Sequence, residues 1–229
     1  MTTRITGISS MATRQVLAEL ASAYQRHHGV VVAFESAGGV DAAKRVQAGE
    51  PFDLVVLAAD AIDKLIAAGC VIADSKTDLV HSSVAIAVRS GAARPDTSSE
   101  GALRRAVLAA RSIGYSTGPS GTALMKLFER WGIADTMRDR IVRAAAGVPV
   151  GQLVARGEVE LGFQQLSELA GLPGIDVLGL MPGGCEIVTT FSAGLCAGSS
   201  QPTSVRALLA FMRSSEVADV KRRHHMEPA

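Results

Sequence analysis

Three stretches of this chain combine residues suited to holding a negative charge: Gly7-Ile8-Ser9-Ser10-Met11, Glu35-Ser36-Ala37-Gly38-Gly39 and Gly118-Pro119-Ser120-Gly121-Thr122. Each is a Ser/Gly turn between an apolar run and a helical pattern, which reads as strand, turn, helix start. A fourth, Gly147-Val148-Pro149-Val150, lacks serine but sits in the same context. The first N–H groups of a helix have no intrahelical partner, and the helix dipole adds positive potential there, so such turns bind anions. Serine hydroxyls add neutral donors. The competing reading is that each serine only caps its own helix. One turn is weak evidence, but four, two in each half of the chain, favour an anion-binding cleft. The candidate contacts are Ser9, Ser10, Ser36, Gly38, Ser120, Thr122 and Val150.

Three charged or titratable residues near these turns could add to that chemistry. Arg14 falls in the second turn of the first helix, where its guanidinium would grip a carboxylate bidentately. The alternative is a surface arginine. His81 and Glu35 are the candidates for proton transfer. The stronger readings are His81 as a hinge hydrogen-bonder and Glu35 as a solvated or ion-paired residue. Asp53 and Asp60 read as helix caps.

The elements that must position these residues follow from the apolar pattern. Strands are expected at Ile5–Ile8, Val30–Phe34 and Asp53–Leu57, alternating with helices over Met11–Arg26, Val40–Ala48 and the stretch from Asp60 to Gly69. Successive βα units imply a parallel sheet with right-handed crossovers. Two longer apolar runs, Val80–Val88 and Ile187–Leu195, flank the middle of the chain and read as crossings between lobes. The expected organisation is therefore two α/β lobes, residues 1–82 with 190–229 and residues 83–189. Ligands of such sheets sit beyond the carboxyl ends of the strands, where all four turns lie.

Composition excludes several classes. Of 229 residues, 48% are hydrophobic and only 4% aromatic, so the core must be Ala, Val, Leu and Ile, as suits helices on a buried sheet. A net charge of +1 gives no reason to expect nucleic acid or a membrane surface as partner. No apolar run reaches the length of a membrane span, so no membrane insertion is expected. The three cysteines lack metal-ligand spacing, no phosphate-loop lysine follows the Gly-rich turns, and no Ser-His-Asp spacing stands out, so neither metal nor cofactor is expected. No leader pattern precedes the first strand, which points to the cytoplasm and away from a transporter partner.

Ser36-Ala37-Gly38-Gly39-Val40, then Gln47-Ala48-Gly49-Glu50-Pro51-Phe52-Asp53-Leu54, then Ala58-Ala59-Asp60 resemble the hallmark of the molybdate-binding type of bacterial solute-binding proteins. The resemblance runs over essentially the whole chain. It implies a two-lobed, periplasmic-binding-protein-like (type II) α/β fold with two hinge crossings and a small anion in the cleft between lobes. It makes Ser9, Ser36, Ser120 and Val150 direct contacts. Molybdate receptors tend to carry tyrosine just after the strand that here ends in Gln164-Gln165, so these two glutamines would offer an amide donor instead. Proteins similar to this family include isomerases of small unsaturated tricarboxylates such as aconitate. The readings this leaves are a di- or tricarboxylate-binding protein, an isomerase that shifts a double bond in such a ligand, and a molybdate- or tungstate-binding protein.

Overall fold

The computed structural model describes residues 4–145 and 147–229; the first three residues of the expected first lobe lie outside that range. In chain order the elements are β1 (Arg4–Ser10), α1 (Arg14–His28), β2 (Val31–Ala37), α2 (Gly39–Gln47), β3 (Leu54–Ala58), α3 (Ala59–Ala67) and β4 (Thr77–Arg89). Then come α4 (Glu100–Ala109), β5 (Ile113–Tyr115), α5 (Pro119–Arg130), α6 (Ala134–Met137), β6 (Ile141–Arg143), α7 (Val150–Arg156), β7 (Leu161–Gln165), α8 (Leu166–Leu169) and β8 (Ile175–Leu180). The chain closes with β9 (Val188–Leu195), α9 (Pro202–Arg213), α10 (Ala218–Arg223) and β10 (Glu227–Pro228). Among the described residues no helix is long and apolar enough to cross a membrane.

The chain forms two compact units: the stretch up to Ser82 with Thr189–Ala229, and Ser83–Val188. It passes between them inside β4 and at the start of β9.

The first unit holds the strand order β2-β1-β3-β9-β4, with β10 on the other side of β4. β1, β2 and β3 are parallel, while β9 runs antiparallel to β3, so the sheet is mixed rather than wholly parallel. One face packs Ile5, Leu54 and Val56 against Val16, Leu17, Leu20 and Tyr24 of α1 and Val205, Leu208 and Met212 of α9. The other packs Ile8, Val55 and Leu57 against Ala42 and Val46 of α2 and Ile62 and Leu65 of α3. Residues facing opposite helix layers alternate along each strand, as the period of two requires.

The second unit is built on the order β8-β4-β7-β5-β6. β5, β6 and β7 are parallel to one another. Ile113, Leu161 and Phe163 meet Leu124, Leu127 and Phe128 of α5 on one face, and Val150, Leu153 and Val154 of α7 cover the other. Gly114 must be glycine, because a Cβ there would lie 2.8 Å from Val159 and 3.1 Å from Val150.

Several boundaries differ from those read in the sequence. β2 continues through Glu35 and Ser36 to Ala37, because its ladder with β1 runs to Ser10↔Ala37; what looked like turn is strand end. β7 begins at Leu161 and ends with Gln164 and Gln165, where the sequence pattern places a strand over Val159–Phe163. Asp60 does not cap α3: the cap position is Ala58, and Asp60 lies in the first turn, 3.6 Å from Lys64. Asp53 caps no helix either. It is buried before β3 and accepts hydrogen bonds from the Thr6 N–H (2.8 Å), Thr6 Oγ1 (3.1 Å) and Ser199 Oγ (2.6 Å).

Candidate functional site

In the first unit the register of β1 and β2 sets Ser9 directly opposite Ser36 at the carboxyl ends of neighbouring strands. Their hydroxyls are 2.9 Å apart, and Ser9 Oγ is also 3.5 Å from the Glu35 carbonyl. Ser9 is fully buried. Two hydroxyls carry two protons: the mutual bond uses one and the long bond that Ser9 Oγ donates to the Glu35 carbonyl uses the other, so an incoming acceptor competes with that 3.5 Å bond. Gly7 permits this pairing: a Cβ on it would sit 2.6 Å from the Phe34 ring that lies over the strand.

Ser10 does what a cap does. Its Oγ accepts from the Ala12 N–H at 3.2 Å, and its carbonyl accepts from Thr13 Oγ1 at 3.1 Å. A short 3₁₀ turn, Met11–Thr13, precedes α1, so Arg14 opens the α-helix itself. Arg14 is exposed and makes no salt bridge with any described residue. Gly38 is the cap residue of α2 and supplies no side-chain bond, so the first-turn N–H groups of that helix stay open to a ligand. Asp41 is the one acidic side chain in that turn.

The two candidate proton carriers are not brought together. Glu35 alternates with Ser36, so it projects on the opposite face of β2, where Arg45 Nη2 holds its carboxylate at 2.8 Å. Arg45 also binds Glu50 at 2.6 Å. His81 lies on β4, exposed, with Nδ1 3.0 Å from Thr190 Oγ1. At about 4.8 Å per strand, three steps from β1 place it about 14 Å to the side of Ser9, and a fourth step separates it from Glu35. The register also places Thr190, one residue beyond the Ala58↔Phe191 pair, at the carboxyl end of β3, so His81 shares that end of the sheet.

In the second unit Gly118 caps α5 without a side-chain bond, and the first turn contains no acidic residue. Ser120 Oγ is 3.3 Å from Ser116 Oγ, and Ser120 is buried. Gly121 is dictated by packing, since a Cβ there would meet the Ser116 carbonyl oxygen at 1.9 Å. Thr122 is exposed, one residue further into the helix. Val150 is fully buried in the core between Gly114 and Gly162, so only its backbone could meet a ligand. Gln164 Oε1 accepts from the Gly151 N–H at 3.4 Å and its Nε2 donates to Glu168 at 2.8 Å. That amide ties β7 to the start of α7. Gln165 is buried on the same strand.

The sequence reading passed over the Ser116 hydroxyl and the Thr190 hydroxyl. The Gly118-Pro119-Ser120 signal drew attention past Ser116, and nothing local marks Thr190, which meets His81 across 109 residues.

A family model described as bacterial extracellular solute-binding protein matches residues 5–227. An aconitate isomerase from Pseudomonas sp. is 39% identical over 222 residues, covering 94% of this chain and 84% of that protein. Among solved structures, the Azotobacter vinelandii periplasmic molybdate-binding protein aligns with a TM-score of 0.79 at 17% identity, covering 97% of this chain and 98% of that one. A sulfate-binding protein from Mycobacterium tuberculosis aligns at 0.80 and 18% identity, over 99% and 87%. These likenesses establish the periplasmic-binding-protein-like α/β fold. The match along nearly the whole chain shows that this protein belongs to the bacterial solute-binding family.

Proposed function

We propose that this protein binds a small polycarboxylate, with the serine pair at the strand ends of the first unit among its contacts. The observation that carries this reading is the Ser9–Ser36 hydroxyl pair at the ends of β1 and β2, with the helix after β1 opened by Arg14, which has no salt bridge among the described residues. Neutral hydroxyls and N–H groups suffice for a compact tetrahedral oxyanion. A polycarboxylate carries separated charges and gains from a guanidinium at one end. Isothermal titration with aconitate, citrate and molybdate tests the reading. Ser36→Ala should weaken carboxylate binding by about 1–2 kcal/mol, the size of a hydrogen bond to a charged group. Unchanged affinity in that variant would remove Ser36 from the site, and molybdate binding without carboxylate binding would overturn the carboxylate reading.

A second reading, that the protein also isomerises its ligand, is favoured by the 39% identity to an aconitate isomerase. Aconitate has a CH₂ group α to one carboxylate and allylic to its double bond. A base removes a proton there, the charge delocalises over the allyl system and carboxylates, and a proton returned to the other end moves the double bond. Helix-start N–H groups would stabilise the delocalised anion. Of the two proton carriers, His81 keeps Nε2 free of described partners, while Glu35 is committed to Arg45. The three-strand separation requires the reacting carbon to lie toward β9. Proton NMR of aconitate in D₂O should show isomer conversion with deuterium uptake, abolished by His81→Gln while binding persists. No conversion by the wild-type protein would leave binding alone.

A further inference from the structure

Proton abstraction by a histidine needs a lone pair on the acting nitrogen, so the neutral ring must carry its proton on the other one. We infer that Thr190 imposes this tautomer on His81 and is a positioning residue for the isomerisation; the inference rests on the isomerase reading above. His81 lies on β4, between β9 and β10. On the β9 side its Nδ1 is 3.0 Å from Thr190 Oγ1. On the β10 side its register partner is Glu227, and directly opposed residues carry Cβ atoms about 4.5–5.5 Å apart on one face of a sheet. The Glu227 carboxylate is engaged elsewhere, 3.6 Å from Arg222 Nε. The imidazole thus stands between two strands with Nδ1 tied down and Nε2 bonded to no described residue. His81 is exposed, so a ligand can reach that nitrogen.

A hydroxyl both donates and accepts, so the contact alone admits two arrangements. If Thr190 donated to Nδ1, the proton of the neutral ring would sit on Nε2 and His81 could not act as a base. The hydroxyl would also have to reverse when the ring became an imidazolium, whose two nitrogens are both donors. With Thr190 accepting from Nδ1–H, one bond serves both charge states. Nε2 then takes a proton from the CH₂ group of aconitate, and the C–H electron pair enters the allyl system. The imidazolium returns a proton through Nε2 to the far end of that system, which restores the neutral base. The bond also fixes the ring flip, because a half turn about χ2 would put a ring carbon opposite Oγ1. Thr190 is half-buried and has no other side-chain partner among the described residues, so its own proton is free for water or a ligand oxygen.

Isotopic nitrogen labelling of histidine tests this without relying on turnover, because long-range proton–nitrogen NMR correlation tells a protonated ring nitrogen from one with a lone pair. The His81 signals are those missing from His81→Gln. In alkaline solution, where imidazoles are neutral, the wild-type ring should hold its proton on Nδ1. Thr190→Val removes the hydroxyl and keeps the branched shape, and in it the ring should lose that preference. The kcat for aconitate isomerisation should fall about tenfold in Thr190→Val, the size of one hydrogen bond, with KM within about twofold of wild type. Thr190→Ser, which restores the hydroxyl, should recover most of the loss. A wild-type ring protonated on Nε2, the same tautomer in wild type and Thr190→Val, or a kcat unchanged by loss of the hydroxyl overturns the inference. Absence of conversion by the wild-type protein overturns the isomerase reading and with it the purpose of the tautomer, while the spectrum alone decides whether Thr190 sets it.

Discussion

Gly121→Ala is the sharpest perturbation of the second unit's helix start. The added Cβ would lie 1.9 Å from the Ser116 carbonyl oxygen and 2.7 Å from the Tyr115 ring. The nearer obstacle is backbone and cannot swing aside. Ordinary contact begins near 3.4 Å, so the first turn of α5 and the end of β5 must separate by about 1.5 Å. Overpacking of this kind costs about 1–3 kcal/mol, and in a chain of this length each kcal/mol lowers Tm by about 2–4 °C. The same separation moves Ser120 away from Ser116 and should weaken ligand binding as well as stability. Gly118→Ala, three residues earlier, is the control: φ is −81° and nothing lies within 4 Å of its would-be Cβ. Loss of glycine at a cap position costs about 1 kcal/mol or less. Urea unfolding followed by circular dichroism, with calorimetric titration of each variant, compares the two. Equal midpoints and equal affinities for Gly121→Ala and Gly118→Ala would refute the packing argument.

Two further substitutions probe the first unit. Ser82 Oγ is buried without a hydrogen-bond partner among the described residues, so Ser82→Ala should leave stability unchanged or raise it by up to about 1 kcal/mol; a loss of more than that in urea unfolding would mean the hydroxyl is satisfied. Glu19 is held below its ordinary carboxyl range first by Arg223 and then by His224, whose Nε2 is 2.7 Å away. A carboxyl with a depressed folded pKa stabilises above its unfolded value of 4.5, and that contribution is lost as pH falls through the lower folded value. Glu19→Gln should therefore be less stable than wild type at pH 7, and the gap should close in acid; a gap that is constant with pH would contradict the ion-pair account.

Much of the fold was legible because the βα alternation is strong in the first eighty residues, and the Ser/Gly turns mark where strands end. The periodicity did not show how far the ladders run. Glu35, Ser36, Gln164 and Gln165 are strand residues because neighbouring strands extend to meet them, and pairing between β1 and β2 is a tertiary fact. The same limit hid the short strand β10, whose Glu227 pairs with His81 across the whole chain. At the site, type and spacing identified the serines, which the strand register then set side by side. Gln164 illustrates the reverse: its amide looked available, but both ends are engaged by Gly151 and Glu168.

The claim that the ligand is a polycarboxylate is tested most directly by thermal-shift titration of the wild-type protein against aconitate, citrate, molybdate, tungstate and sulfate. A ligand that binds only the folded state at a hundred times its Kd adds about 2.7 kcal/mol, which corresponds to roughly 5–11 °C in a chain of this length. The account predicts a rise of that size with aconitate or citrate and none with the tetrahedral oxyanions. Stabilisation by micromolar molybdate with no response to any carboxylate would contradict it and return Arg14 to the protein surface.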